Sequence, residues 1–196
     1  MSKRLLKSQS KDQIDERATE FIKHYGGMQS PGKGWRKRLA KVLFDVPRSQ
    51  MALIPFYARF TAILGQYFKD IPTELVNLLE SEFTKLYEDS DVVKIESKIR
   101  NIRFLGELAK FGVCPAKTLL ECLKKCLDDF NAHNIEITIN LLDTCGKFLS
   151  RAPDESMGTT SAAAVLKFNN LLELLLRLKE KDNISSKSLG NLETAI

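Results

Sequence analysis

Histidine occurs only twice in 196 residues and tryptophan once, and no two of the four cysteines are spaced as C-x-x-C. Each scarcity removes a class of chemistry. His24 and His133 have neither a cysteine nor a second histidine at ligand spacing, so no metal site and no other cofactor is expected. Histidine catalysis also needs a positioned nucleophile and an orienting group, and neither is visible in sequence. The acidic pair Asp128-Asp129 falls near a helix C-terminus as a solvated edge, so no catalytic residue is assigned and the chain is expected not to be an enzyme. No run approaches the roughly 18 apolar residues of a membrane helix; the densest, Leu171 to Leu178, is broken by Glu173 and Arg177. Met1 to Ser10 has no apolar core of the kind a secretory signal carries. Cys114, Cys122, Cys126 and Cys145 are therefore read as reduced, core-facing residues of a soluble, cytoplasmic protein. No segment sustains a period of two, and no sheet is expected.

What the chain does have is helical periodicity punctuated by glycine. Gly65, Gly106 and Gly146 each sit inside a strongly apolar helical run and recur at intervals of 41 and 40 residues, each followed within five residues by Phe68, Phe111 or Phe148. A glycine inside a helix costs about 1 kcal/mol against alanine, so three in register point to places where neighbouring helices approach too closely for a Cβ. Paired helices repeating every 40 to 47 residues or so are the mark of HEAT or armadillo-type solenoids. The fold class expected is all-α, a right-handed solenoid of antiparallel helical hairpins, as one domain over residues 1–196 with a basic tail over 1–10. Such surfaces bind by shape and charge.

The hairpins can be drawn from local signals. Ser10-Lys-Asp-Gln13 has the form of a capping box, opening a helix with the inward stripe Ile14, Ala18, Phe21, Ile22 and Tyr25 that ends at Gly26-Gly27. A short helix follows from Trp35 to just before Pro47. The next is expected over 49–69 with Pro55 as an internal kink, and its partner opens at Pro72 and carries Leu75, Leu78, Leu79, Phe83 and Leu86 inward. Glu88-Asp-Ser-Asp91 connects to a third pair over 93–111 and 115–130, with Gly112 as the stop of its first member. A fourth pair covers 134–150 and 165–181 across a loop over 152–164, and a last helix begins at Ser185 and is cut at 196.

Charge is uneven. Residues 1–60 hold 13 Lys and Arg against 5 Asp and Glu, whereas the chain as a whole is +5. The excess peaks at Lys33, Arg36, Lys37, Arg38 and Lys41, a face suited either to RNA phosphates or to an acidic protein surface, with solvation alone as the plain alternative. Trp35 could stack on a base, but it is in register with Leu39 and Val42, the core stripe. Lys94, Lys98 and Arg103 form a second basic group at the start of the next repeat. Gly27-x-x-x-x-Gly32-Lys33 imitates a phosphate loop, yet Gly34 stands where a Ser or Thr would hold magnesium and an amphipathic helix precedes it instead of a strand, so no nucleotide binding is expected.

Three stretches carry a family resemblance: Lys41-Val-Leu-Phe-Asp-Val-Pro-Arg-Ser-Gln-Met-Ala-Leu-Ile-Pro-Phe-Tyr-Ala-Arg-Phe60, Ile102-Arg-Phe-Leu-Gly-Glu-Leu-Ala-Lys-Phe111 and Leu141-Leu-Asp-Thr-Cys-Gly-Lys-Phe-Leu-Ser150. In order and spacing the chain resembles the middle domain of the initiation factor 4-gamma family, in the form found second of three in an adaptor of nonsense-mediated mRNA decay. The likeness runs from about Asp12 to Pro153. Gly26 to Gly34, which is rich in glycine, and Met157 to Ala164, which looks inserted, depart from the pattern. The resemblance implies a stack of helical hairpins acting as a scaffold, with the adaptor's other domains and decay-pathway proteins as partners and RNA contact weak at most. The adaptor's contacts with its helicase and with the partner that marks exon junctions lie mainly in the third domain and the C-terminal tail. No established binding residue therefore transfers to this chain, and the candidate sites above rest on charge alone.

Overall fold

A computed structural model of the chain describes residues 10–26, 34–45, 50–88, 94–151, 161–181 and 186–195, with the side chains of 181 and 186–189 left aside. Among these residues there are nine α-helices and no strand: α1 (Lys11–Gly26), α2 (Trp35–Asp45), α3 (Ile54–Gly65), α4 (Asp70–Glu88), α5 (Ile95–Lys110), α6 (Ala116–Asp128), α7 (Ala132–Leu149), α8 (Ala162–Lys181) and α9 (Ser186–Ala195). The odd-numbered helices form one layer stacked in chain order, α1 on α3, α3 on α5, α5 on α7 and α7 on α9. In the other layer α2 lies on α4 and α6 on α8, and each connection crosses between layers. The hairpin pattern thus becomes a two-layered, all-α stack, with one continuous apolar core from Ile14 on α1 to Leu192 on α9.

Local chemistry sets the helix ends. Ser10 Oγ accepts the Gln13 N–H at 3.3 Å, which satisfies one of the free donors of the first turn of α1. Gly112 takes φ +70°, which lets its own N–H reach Ala109 O and the N–H of Val113 reach Leu108 O, the paired closure of a left-handed helix stop. Four expected boundaries need correction. Pro55 does not kink a helix: α3 starts at Ile54 behind a 3-10 turn over Met51–Leu53, so Pro55 sits in the first turn, where its missing N–H would have had no partner anyway, and α3 ends at Gly65. Pro72 likewise lies in the first turn of α4, which opens at Asp70. Helix α7 begins at Ala132 because Asn131 is its cap, its Oδ1 accepting the N–H groups of His133 and Asn134 at 3.0 and 2.9 Å. Helix α8 begins at Ala162, three residues before Val165, because Ser161 Oγ accepts the Ala164 N–H and alanines continue a helix readily.

The three register glycines are not equivalent. At Gly106, buried on α5, a Cβ would stand 2.9 Å from Thr144 Cγ2 and 3.3 Å from Cys145 Sγ, so α5 and α7 touch there with no space for a side chain. At Gly65 a Cβ would fall 2.7 Å from Pro72 Cγ, across the turn between α3 and α4. Gly146 departs from the expected pattern: a Cβ there would meet nothing closer than Leu142 of its own helix, at 3.7 Å. No neighbouring helix presses on it.

The first helix is clamped to the stack. Phe21 on α1 meets the buried Phe60 on α3 edge-on at 6.3 Å. Beside it Arg59 forms two hydrogen bonds to the Asp15 carboxylate, at 2.7 and 2.6 Å, and these hold that carboxyl below its usual pKa of 3.8.

Candidate interaction surface

Helix α2 packs on α4 through Leu39, Ala40 and Leu43 and turns Arg36, Lys37, Arg38 and Lys41 to solvent. Arg36 is already engaged within the chain. Its guanidinium bonds both oxygens of Asp70 at 3.1 and 3.2 Å and lies 5.5 Å over the Trp35 ring and 5.1 Å over Phe68. Among the described residues, Lys37, Arg38 and Lys41 form no ion pair. Lys33 and the rest of 27–33, including the imitation phosphate loop, lie outside the described residues.

Trp35 is a packing residue. Its ring stacks on Tyr25 at 5.3 Å and meets Phe68 edge-on at 5.4 Å, with Phe21 6.0 Å away, so α1, α2 and the turn before α4 close on it. The exposed aromatic of this region is Tyr67, 63% accessible and adjacent in sequence to the Phe68 that lies beneath Arg36. Sequence reasoning missed it because a tyrosine in an apolar run has the same period as a core residue.

The second basic group is built differently. Lys94, Lys98 and Arg103 are half-buried on and just before α5; Lys94 and Lys98 are engaged with neighbours, and the charge of Lys98 reaches Cys126 on α6. Helix α5 lies against α3, α4 and α7, and α2 against α4, so the two basic groups are carried by helices of different layers.

The four cysteines are buried and free. Burial pushes the thiols of Cys114, Cys126 and Cys145 up to about 12, and that of Cys122 up as well, which leaves them un-ionised and unreactive at neutral pH. Among the described residues no group of histidine, cysteine and carboxylate side chains is arranged to hold a metal ion, and no helix is long and apolar enough to cross a membrane. A further surface that sequence reasoning overlooked lies around Lys147 and Arg151, at the end of α7. The signal was an i, i+4 pair of cations immediately after Gly146, masked by the reading of that glycine as packed.

Comparison with known proteins follows the whole chain. It is 42% identical over 186 residues to the regulator of nonsense transcripts UPF2 of Arabidopsis thaliana, and 35% identical over 186 residues to regulator of nonsense transcripts 2 of Homo sapiens. Each alignment covers 95% of this chain but 14% of the relative. Nonsense-mediated mRNA decay protein 2 of Schizosaccharomyces pombe is 29% identical over 164 residues, covering 84% of the chain and 15% of that protein. The chain therefore spans about one seventh of the length of these relatives. The MIF4G domain family, an all-α helical-repeat family, matches residues 2–195, and with the two-layered stack of helices this shows that the chain belongs to the MIF4G domain family.

Proposed function

We propose that the chain is a non-catalytic scaffold domain of a nonsense-mediated mRNA decay adaptor, most like the second such domain, working in the cytoplasm by protein–protein contact and by spacing its neighbours. The observation that carries this reading is the alignment over 95% of the chain with a regulator of nonsense transcripts, joined to a fold that offers helix faces and grooves. Stacked helices present rigid, well-spaced surfaces, which suits them to hold partners. The test is a chimera. Human regulator of nonsense transcripts 2 carrying this chain in place of its matching segment is expected to sustain decay of a reporter with a premature stop codon, and a version with a flexible Gly/Ser linker there is not. Normal decay with the linker would overturn the scaffold reading.

One observation favours RNA contact as a second reading: Lys37, Arg38 and Lys41 are exposed on one helix and form no ion pair among the described residues. With three phosphates neutralised, the log–log salt slope on single strands is expected to be about −2, because each phosphate contributes roughly −0.7. Fluorescence anisotropy with a uridine oligonucleotide should show weak, sequence-tolerant binding that disappears when Lys37, Arg38 and Lys41 are changed to glutamate. Binding that survives the triple change would remove this face from consideration. A helicase-docking domain of a translation factor is the remaining alternative, which would require an RNA helicase to co-purify with this chain.

A further inference from the structure

Gly146 is the anomaly that leads to a site. Glycine is among the poorest helix formers, and at Gly65 and Gly106 close packing accounts for it. At Gly146 no helix presses. It lines instead a groove of about 640 Å³ between α7, α8 and the C-terminal ends of α5 and α9. That volume lies within the roughly 300–1,000 Å³ of natural ligand pockets.

The walls of the groove are mixed. Phe148 and Leu172 stand half-exposed along it, with Leu142 and Phe168 buried beneath. Three cations line it, Lys110, Lys147 and Arg151, against one carboxylate, Asp143. Lys110 is paired with Glu107 at 2.8 Å, whereas Lys147 and Arg151, both exposed, form no ion pair among the described residues. Apolar walls with unpaired cations at the mouth suit a ligand that is greasy at its centre and negative at its flanks. A nucleic acid backbone fits them less well: Phe148 and Leu172 already rest on the core with one side, and a ribose-phosphate chain would cover their exposed parts with polar groups, where an apolar side chain would bury them.

The geometry points to this groove as the docking site for an acidic segment of a partner protein, one large apolar side chain entering beside Gly146 while flanking Asp or Glu residues meet Lys147 and Arg151. This rests on the scaffold reading and gives it a place. Glycine at 146 keeps the entrance clear. A leucine there would project into the groove rather than into a neighbouring helix, so it would block the site and leave the fold intact.

The probe is a random peptide library displayed on phage, selected on the wild-type chain. Enriched peptides are expected to carry a large apolar residue between acidic ones. They should bind the Gly146→Leu variant, and separately the Lys147→Glu/Arg151→Glu variant, at least about tenfold more weakly. Gly146→Leu should melt no lower than the parent, which separates a blocked groove from a damaged fold. No enrichment, enrichment of basic or uncharged peptides, or equal binding to Gly146→Leu would each overturn the proposal. So would a uridine oligonucleotide that binds the parent and is lost on the same variant, since the groove would then belong to nucleic acid. Placing Gly146→Leu in the decay chimera keeps the two readings apart. If the parent chimera sustains decay and the variant sustains it equally, the groove falls and the scaffold stands; if the parent chimera fails, the scaffold reading itself falls.

Discussion

Phe60→Ala is expected to lower the stability of the chain by about 3–5 kcal/mol, the usual cost of emptying a fully buried aromatic site. Phe60 is completely inaccessible on α3, and its ring is met by Phe21 from α1 at 6.3 Å. Removing the ring loses its transfer free energy and also leaves a cavity beneath the Trp35, Tyr25 and Phe21 cluster, which cannot collapse freely because α1 is also tied down by Asp15 and Arg59. Against a total stability of roughly 5–15 kcal/mol, that is a large fraction. Phe111→Ala is the control, since Phe111 is 38% exposed at the end of α5 and should cost much less. Urea melts of the two variants decide the point: equal losses would mean that α1 and α3 are not joined through Phe60.

The second large effect is at Gly106. Leucine is a better helix former than glycine by nearly 1 kcal/mol, so an exposed position would gain from the change. Here the first added atom alone would stand 2.9 Å from Thr144 Cγ2, and the rest of the side chain has α7 in its way. Overpacking of this kind costs about 1–3 kcal/mol or more, because helices must part or side chains leave their rotamer wells. Packing and propensity therefore have opposite signs, and packing should win. Ser81→Leu on the exposed face of α4 is expected to be nearly neutral. A Gly106→Leu chain as stable as the parent would show that α5 and α7 can separate at no cost.

Much of this fold was legible because its signals are local. Ser10 caps, Gly112 stops, and the stripe of Ile14, Ala18 and Phe21 needs nothing but a period of 3.6 to be read as a buried face. Proline was the misleading sign: Pro55 excludes an interior position but is at home in a first turn, and only the 3-10 turn before it shows which applies. Charge was legible as composition and not as availability. Arg36 and Lys37 are neighbours in sequence, yet Asp70 claims the first from 34 residues away. No periodicity reports a partner at that distance. The glycine register was similarly half-informative, for it marks where a helix lacks a Cβ and not what lies opposite: Thr144 of the neighbouring helix for Gly106, only Leu142 of its own helix for Gly146.

The stacking order of the odd-numbered layer bears on how the chain would respond to load. Helices α1, α3, α5, α7 and α9 touch in sequence, as cards in a deck do, each described seam joining one member to the next. Tension applied along the deck would be borne in series, so the weakest seam yields first while the others hold. Helix α5, gripped by α3, α4, α6 and α7, is the member most firmly held. A stack built this way can open at one seam and still keep α5 and its neighbours as a rigid block.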